Sequence, residues 1–201
     1  PYLHTTVTSS LSYLSNLFVY GTLKRNEPNH FWLTSEKNGI GTFIGEGVTT
    51  TKYPLIIATR YNIPFILFSP GNGHYVKGEI YEVDDKMLSN LDILEDHPNY
   101  YIREINDIKV VDSWTTDDDV IEEIMKCWVY FLKNFKPDLL NLPAMENYSS
   151  TGAHGRPYMD RSKRDPKFQD EVRDIESKVS LETQNTFLYL VMATNPFFWN
   201  G

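Results

Sequence analysis

One carboxylate in this chain occupies a position where a charge is costly. Residues 84–96 read as an amphipathic helix. At about 100° per residue, with Met87 set at zero, Leu94, Leu91 and Leu88 fall at roughly 340°, 40° and 100°, and Glu95 at roughly 80°. Glu95 therefore lies inside the apolar stripe. A charged group on a buried face must be paired, hydrogen-bonded or neutralised. Desolvation would also raise its pKa towards the range of a useful general acid/base. The same position suits a carboxylate at the helix end that snorkels to solvent or pairs with a lysine or arginine, and the pattern alone leaves both readings open. Asp92 and Asp96 lie towards the polar side and read as solvated charges.

A second constellation is Tyr20-Gly21-Thr22-Leu23, at the end of an apolar run. Glycine permits close approach of backbone to a ligand, and consecutive amides in such a turn can hydrogen-bond a carboxylate or carbonyl. An ordinary strand-ending turn would look the same, and the segment has neither the GxGxxG spacing of a dinucleotide fold nor the GK[ST] of a phosphate loop.

Other chemistries find little support. His4, His30, His74, His97 and His154 show no metal-ligand spacing, and no GxSxG elbow presents a serine. The single cysteine, Cys127, sits in an apolar Cys-Trp-Val-Tyr stretch and reads as core; it excludes an intramolecular disulfide framework and fits a reducing compartment. No metal or cofactor is expected. The formal net charge of −8 argues against electrostatic binding to nucleic acid or anionic membranes. The longest apolar runs, such as residues 187–193, are far short of a bilayer span. A soluble, cytoplasmic protein is expected, and the Asn147-Tyr-Ser149 sequon reads as chance.

These residues need elements to hold them. Residues 1–16 are rich in Ser and Thr and read as a flexible leader without the features of a secretory signal. Residues 17–20 read as a buried first strand, and residues 27–33 as a helix opened by Pro28. Residues 39–47 read as a strand that glycines bend or bulge. Two further strands are expected at 53–58 and 63–68, followed by a Pro70-Gly-Asn-Gly73 turn. Residues 75–83 alternate as a strand leading into Asp84, a good N-cap for the Glu95 helix. His97-Pro98 should end that helix, because the residue before proline is pushed out of the α region. Strands at 100–111 and 125–132 flank an acidic, mobile loop at 117–123. Many strands and few helices define an α+β chain, expected as a small mixed β-barrel with short flanking helices.

From Phe18-Val-Tyr-Gly-Thr-Leu-Lys-Arg25 and Pro28-Asn-His30 onward, the sequence resembles the γ-glutamylcyclotransferase-like family, and within it the γ-glutamylaminecyclotransferases. The resemblance continues through Tyr53-Pro-Leu-Ile56, Tyr61-Asn-Ile-Pro64, Gly78-Glu-Ile-Tyr81 and Leu91-Asp-Ile-Leu-Glu95. It reappears at Cys127-Trp-Val-Tyr130 and at Tyr148-Ser-Ser-Thr-Gly-Ala-His-Gly155 with Tyr158. It implies a domain over 17–160, a small mixed barrel, substrate binding by Tyr20, Gly21, Thr22 and Leu23, and Glu95 as catalytic acid/base. It also implies a small-molecule γ-glutamyl substrate and a cofactor-free cyclisation to 5-oxoproline and a free amine, ε-(γ-glutamyl)-lysine being the expected substrate type. Action on γ-glutamyl amino acids or glutathione, or a non-catalytic binding or scaffold role on the same fold, are the alternatives. Lys24 or Arg25 could pair with a substrate carboxylate. Residues 161–201 lie beyond the resemblance. They carry a charged run and then more apolar surface than a disordered tail should, which could pack on the barrel, pack on another subunit, or have no role.

Overall fold

The computed structural model describes residues 13–111 and 123–174. The first strand, β1 (Leu14–Val19), starts three residues earlier than expected. It is followed by α1 (Phe31–Thr34), β2 (Gly41–Tyr53), β3 (Leu55–Ala58), β4 (Ile63–Ile66), β5 (His74–Asp84), α2 (Asp85–Leu94), β6 (Tyr101–Val111) and β7 (Ile124–Leu132). Short 3-10 turns follow at Pro137–Asn141, Arg161–Lys163 and Pro166–Glu171. Five strands close into a barrel in the order β1-β5-β2-β6-β7, and β3 and β4 form a separate two-stranded sheet. The expected α+β mixed barrel is what forms. The neighbouring strands pair antiparallel, except that β1 and β7 close the barrel in parallel through Leu17 and Trp128.

The unalternated apolar run of β1 has a packing reason. Leu17 and Val19 join one buried cluster with Met87, Leu91 and Leu94 of α2, while Phe18 joins a second with Ile80, Ile108, Val129 and Phe131. Both faces of the strand are covered, so both sets of positions must be apolar. The glycines of β2 act as anticipated. Its ladder with β5 skips between Phe43 and Gly45, and a Cβ on Gly47 would stand 2.6 Å from a methyl of Ile108. Residues 27–33, by contrast, are mostly turns, and only the single turn α1 is helical.

Asp84 caps α2 by accepting from the Met87 amide at 2.8 Å, and the same oxygen takes the Ile40 amide at 3.1 Å. Met87, Leu88, Leu91 and Leu94 are the buried residues of α2, as the face arithmetic requires. The helix stops earlier than His97. Leu94 is its last residue, and Asp96 turns into the left-handed region at φ 50°, which a short polar side chain tolerates better than most. The amides of Glu95 and His97 return to Leu91 O and Asp92 O, and Glu95 O accepts from Tyr101 N. Glu95 is thus fixed by backbone bonds on both sides.

The acidic loop at 117–123 lies, apart from Glu123, outside the described residues, as do 1–12 and 175–201. Residues 161–174 pack against the barrel domain. Val172 is buried in the same cluster as α2, Lys136 N donates to Val172 O at 2.9 Å, and Asp165 N donates to the Tyr61 hydroxyl at 2.7 Å. Among the described residues no helix is long and apolar enough to cross a membrane.

Candidate active site

A cavity of about 170 Å³ opens where the end of β1, the end of α2 and residues 158–169 meet. Tyr20, Gly21, Thr22, Leu23 and Glu95 all line it. The two constellations, far apart in sequence, share one wall because β1 lies beside β5, which runs directly into α2.

The turn after β1 is held by side chains of which Asn29 and Tyr158 also line the cavity. Asn29 donates through Nδ2 to Thr22 Oγ1 at 2.9 Å and to the Tyr158 hydroxyl at 2.8 Å, and its amide donates to Thr22 O. His30 Nδ1 stands 3.0 Å from Leu23 O, a contact that requires the ring proton on Nδ1. Among the described residues, the Gly21, Thr22 and Leu23 amides donate to no protein acceptor, so three adjacent donors remain available at the cavity wall. Gly21 has no positive φ; what it needs is space, because a Cβ there would stand 3.0 Å from Cγ of Pro64. The Tyr20 hydroxyl, in contrast, is fully engaged, donating to Tyr130 O at 2.9 Å and accepting from Ile66 N.

Lys24 and Arg25 do not line the cavity. Lys24 is buried, with Nζ bound to Asn147 Oδ1 and Tyr148 O at 2.6 Å each, and burial pushes its pKa down. Arg25 pairs with Glu79 at 3.0 Å and lies over Phe43. Neither is placed to receive a substrate carboxylate.

Glu95 is half-buried, and burial pushes its carboxyl above the usual carboxylate range, with the Arg161 and Arg164 guanidiniums opposing that shift. Among the described residues it forms no ion pair and no side-chain hydrogen bond. Glu95 faces the cavity from the C-terminal end of α2, with the Arg161 and Arg164 guanidiniums as the opposing charges acting on it. Asp92 was misjudged as a solvated charge. It accepts from the Tyr130 hydroxyl at 2.7 Å and binds the Arg103 guanidinium through both oxygens, at 2.8 and 3.2 Å. The Tyr100 hydroxyl is buried on the cavity wall with no partner among the described residues, a costly state for a polar group unless something else fills the position. Cys127 is fully buried and its thiol is pushed up to about 12, as suits a core residue.

The sequence reading missed Tyr100, Tyr130, Tyr158, Arg161, Arg164, Phe168 and Gln169 as wall residues. A signal for the last group existed: Phe168 and Val172 are apolar at i, i+4 within an otherwise charged stretch, which marks a side that packs.

Residues 17–150 match the family model described as gamma-glutamyl cyclotransferase, AIG2-like, and the chain belongs to that family. A gamma-glutamylaminecyclotransferase from Mus musculus is 43% identical over 75% of this chain and all of its own length. A putative gamma-glutamylcyclotransferase from Drosophila melanogaster is 44% identical over 83% of this chain and 99% of its own. The crystal structure of an AIG2-like protein from Mus musculus superposes with a TM-score of 0.69 at 41% identity, covering 76% of this chain and 99% of that one.

Proposed function

We propose that this protein is a cyclotransferase that converts γ-glutamylamines such as ε-(γ-glutamyl)-lysine to 5-oxoproline and free amine, with Glu95 as the proton carrier. The observation that carries this reading is an unpaired, desolvated Glu95 facing the same cavity as three available amides at Gly21–Leu23. Names of relatives agree with it.

In this reaction the α-nitrogen of the γ-glutamyl group attacks its own side-chain amide carbon. The new C–N bond closes a five-membered ring, and the bond to the departing amine breaks. An ammonium is no nucleophile, so a proton must first leave it. Over the whole reaction two protons leave the α-nitrogen and two arrive on the departing amine, and neither water nor an oxidant is consumed. A carboxyl with a raised pKa can accept a proton from the first nitrogen and deliver it to the second, ending as it began. The amides at Gly21–Leu23 would hold the substrate's carboxylate or carbonyl and keep the chain folded back on itself. Because the attack is intramolecular, much of the acceleration can come from fixing that conformer.

The test is incubation with ε-(γ-glutamyl)-lysine, other γ-glutamylamines, γ-glutamyl amino acids and glutathione, with 5-oxoproline as readout. Preferential turnover of the amines supports the reading. Turnover confined to γ-glutamyl amino acids or glutathione moves the protein to the alternative substrate class, and no turnover of any compound leaves a binding module.

A further inference from the structure

Arg161 and Arg164 stand on the cavity wall, where Glu95 is the carboxylate they act on electrostatically, but neither is ion-paired with it. Arg161 donates through Nη1 to Leu94 O at 2.7 Å, the carbonyl just before Glu95. Arg164 donates through Nε and Nη2 to a single acceptor, Met159 O, at 3.3 and 3.2 Å. Its guanidinium lies 4.9 Å from the Tyr158 ring centroid and 5.5 Å from that of Phe168, and both rings line the cavity. Among the described residues neither arginine forms an ion pair, whereas Arg25, Arg60 and Arg103 all do. A guanidinium has five donors in a fixed fork suited to a carboxylate, and Arg164 keeps an Nη edge unused. Position separates it from the glycine turn: Gly21 and Leu23 are buried, whereas Arg161 is exposed and Arg164 half-buried. By exposure, the turn lies on the more enclosed side of the cavity, its floor, and the arginines on the more open side, its mouth. All of these mouth residues lie beyond 150, the end of the family-model match.

We infer that Arg164 receives the carboxylate at the far end of the departing amine, so that this segment selects γ-glutamyl groups carried on a lysine side chain. The inference rests on the cyclotransferase reading and names its specificity residue. In ε-(γ-glutamyl)-lysine the lysine carboxylate is several methylenes from the scissile amide. A substrate whose glutamyl part sits at the floor would therefore project that carboxylate towards the mouth. Arg161 acts as a positioning residue, clamping the segment to the C-terminus of α2.

The experiment compares ε-(γ-glutamyl)-lysine with γ-glutamylcadaverine, which differs only in lacking that carboxylate, using the full chain and Arg164→Leu and Arg164→Lys variants. The wild type should prefer the lysine compound in kcat/KM by roughly ten- to a hundredfold, the value of a charge-assisted hydrogen bond, chiefly through KM. Arg164→Leu should bring the ratio close to one, with Arg164→Lys in between and the inhibition constant of 5-oxoproline unchanged. Equal wild-type kcat/KM for the two compounds overturns this inference while leaving the cyclotransferase reading intact. A parallel fall for both compounds in the variants shows a structural role and overturns it too. Weakened 5-oxoproline binding would instead place the glutamyl carboxylate on Arg164. If the wild type produces no 5-oxoproline from either compound, both readings fall together. Should Arg164→Leu not fold, the wild-type ratio and Arg164→Lys decide the matter.

Discussion

The Tyr130 hydroxyl donates to Oδ1 of Asp92 at 2.7 Å, and that same oxygen accepts Nε of Arg103 at 2.8 Å. One carboxylate thus ties the last turn of α2 to β7 and β6. Removing its charge leaves the largely buried Arg103 guanidinium without a counterion. Asp92→Asn should lower unfolding stability by about 1–3 kcal/mol, the range for hydrogen bonds to charged groups. Urea melts of wild type and variant measure this, and coincident curves would show that the tie carries no net stability.

Gly21 and Pro64 set a second limit. Since a Cβ on Gly21 would stand 3.0 Å from the proline ring, Gly21→Ala requires only a small shift. Gly21→Val adds methyls that must enter either the ring's space or the cavity. The valine variant should bind 5-oxoproline about tenfold more weakly or worse, consistent with the usual cost of overpacking, while the alanine variant stays close to wild type. Titration calorimetry with 5-oxoproline tests it; wild-type affinity in the valine variant would make the turn a purely structural feature.

What could be read from the sequence follows a physical division. The strand at residues 75–83, the Asp84 cap and the Met87-Leu88-Leu91-Leu94 stripe are local patterns that formed where expected, although Glu79 and Tyr81, on the face opposite Val76 and Ile80, are buried as well because both faces of β5 are covered. Glu95 could be singled out because its place in the stripe is also local. The helix end was misjudged because the sequence argument weighed Pro98, whereas the chain had already turned at Asp96. Asp92 was missed because Tyr130 and Arg103 reach it from strands distant in sequence. The cavity mouth was missed for a similar reason: Arg161 and Arg164 look like ordinary surface charges until the burial of Val172 and the Tyr61 contact bring their segment onto the barrel.

Tyr100 gives a prediction of unusual sign. A buried hydroxyl without a partner contributes desolvation cost and no bond, so deleting it should not harm the fold. Tyr100→Phe should be as stable as wild type or more stable by up to about 1 kcal/mol. Thermal melts without ligand measure this. A clear loss of stability would mean that the hydroxyl has a bonding partner in solution.

Glu95→Gln bears on the chemistry. The amide is nearly isosteric with the carboxylate but cannot accept and return a proton, so kcat should fall by about 10²- to 10⁴-fold, with 5-oxoproline affinity largely kept. In the wild type, the acid limb of kcat/KM should lie above the ordinary carboxylate value of 4.5, because burial raises the Glu95 pKa. Substantial turnover by a folded Glu95→Gln variant would remove Glu95 from the mechanism.

The same raised pKa makes a statement about stability. A group that binds its proton more tightly in the folded than in the unfolded state favours folding most below its unfolded pKa, here about 4.5. That contribution is lost as pH rises through the higher folded value, because the folded state must then hold a desolvated charge. Arg161 and Arg164 offset part of this cost and leave the direction unchanged. The carboxamide introduced by Glu95→Gln cannot ionise and escapes the effect. The stability of Glu95→Gln relative to wild type should therefore increase as pH rises from below about 4.5 to neutrality, and then level off. Denaturant melts of both proteins across that range provide the measurement. A difference independent of pH would mean that the Glu95 carboxyl has the same pKa folded and unfolded, and a difference that shrinks as pH rises would mean that the arginines outweigh burial and hold the carboxylate charged.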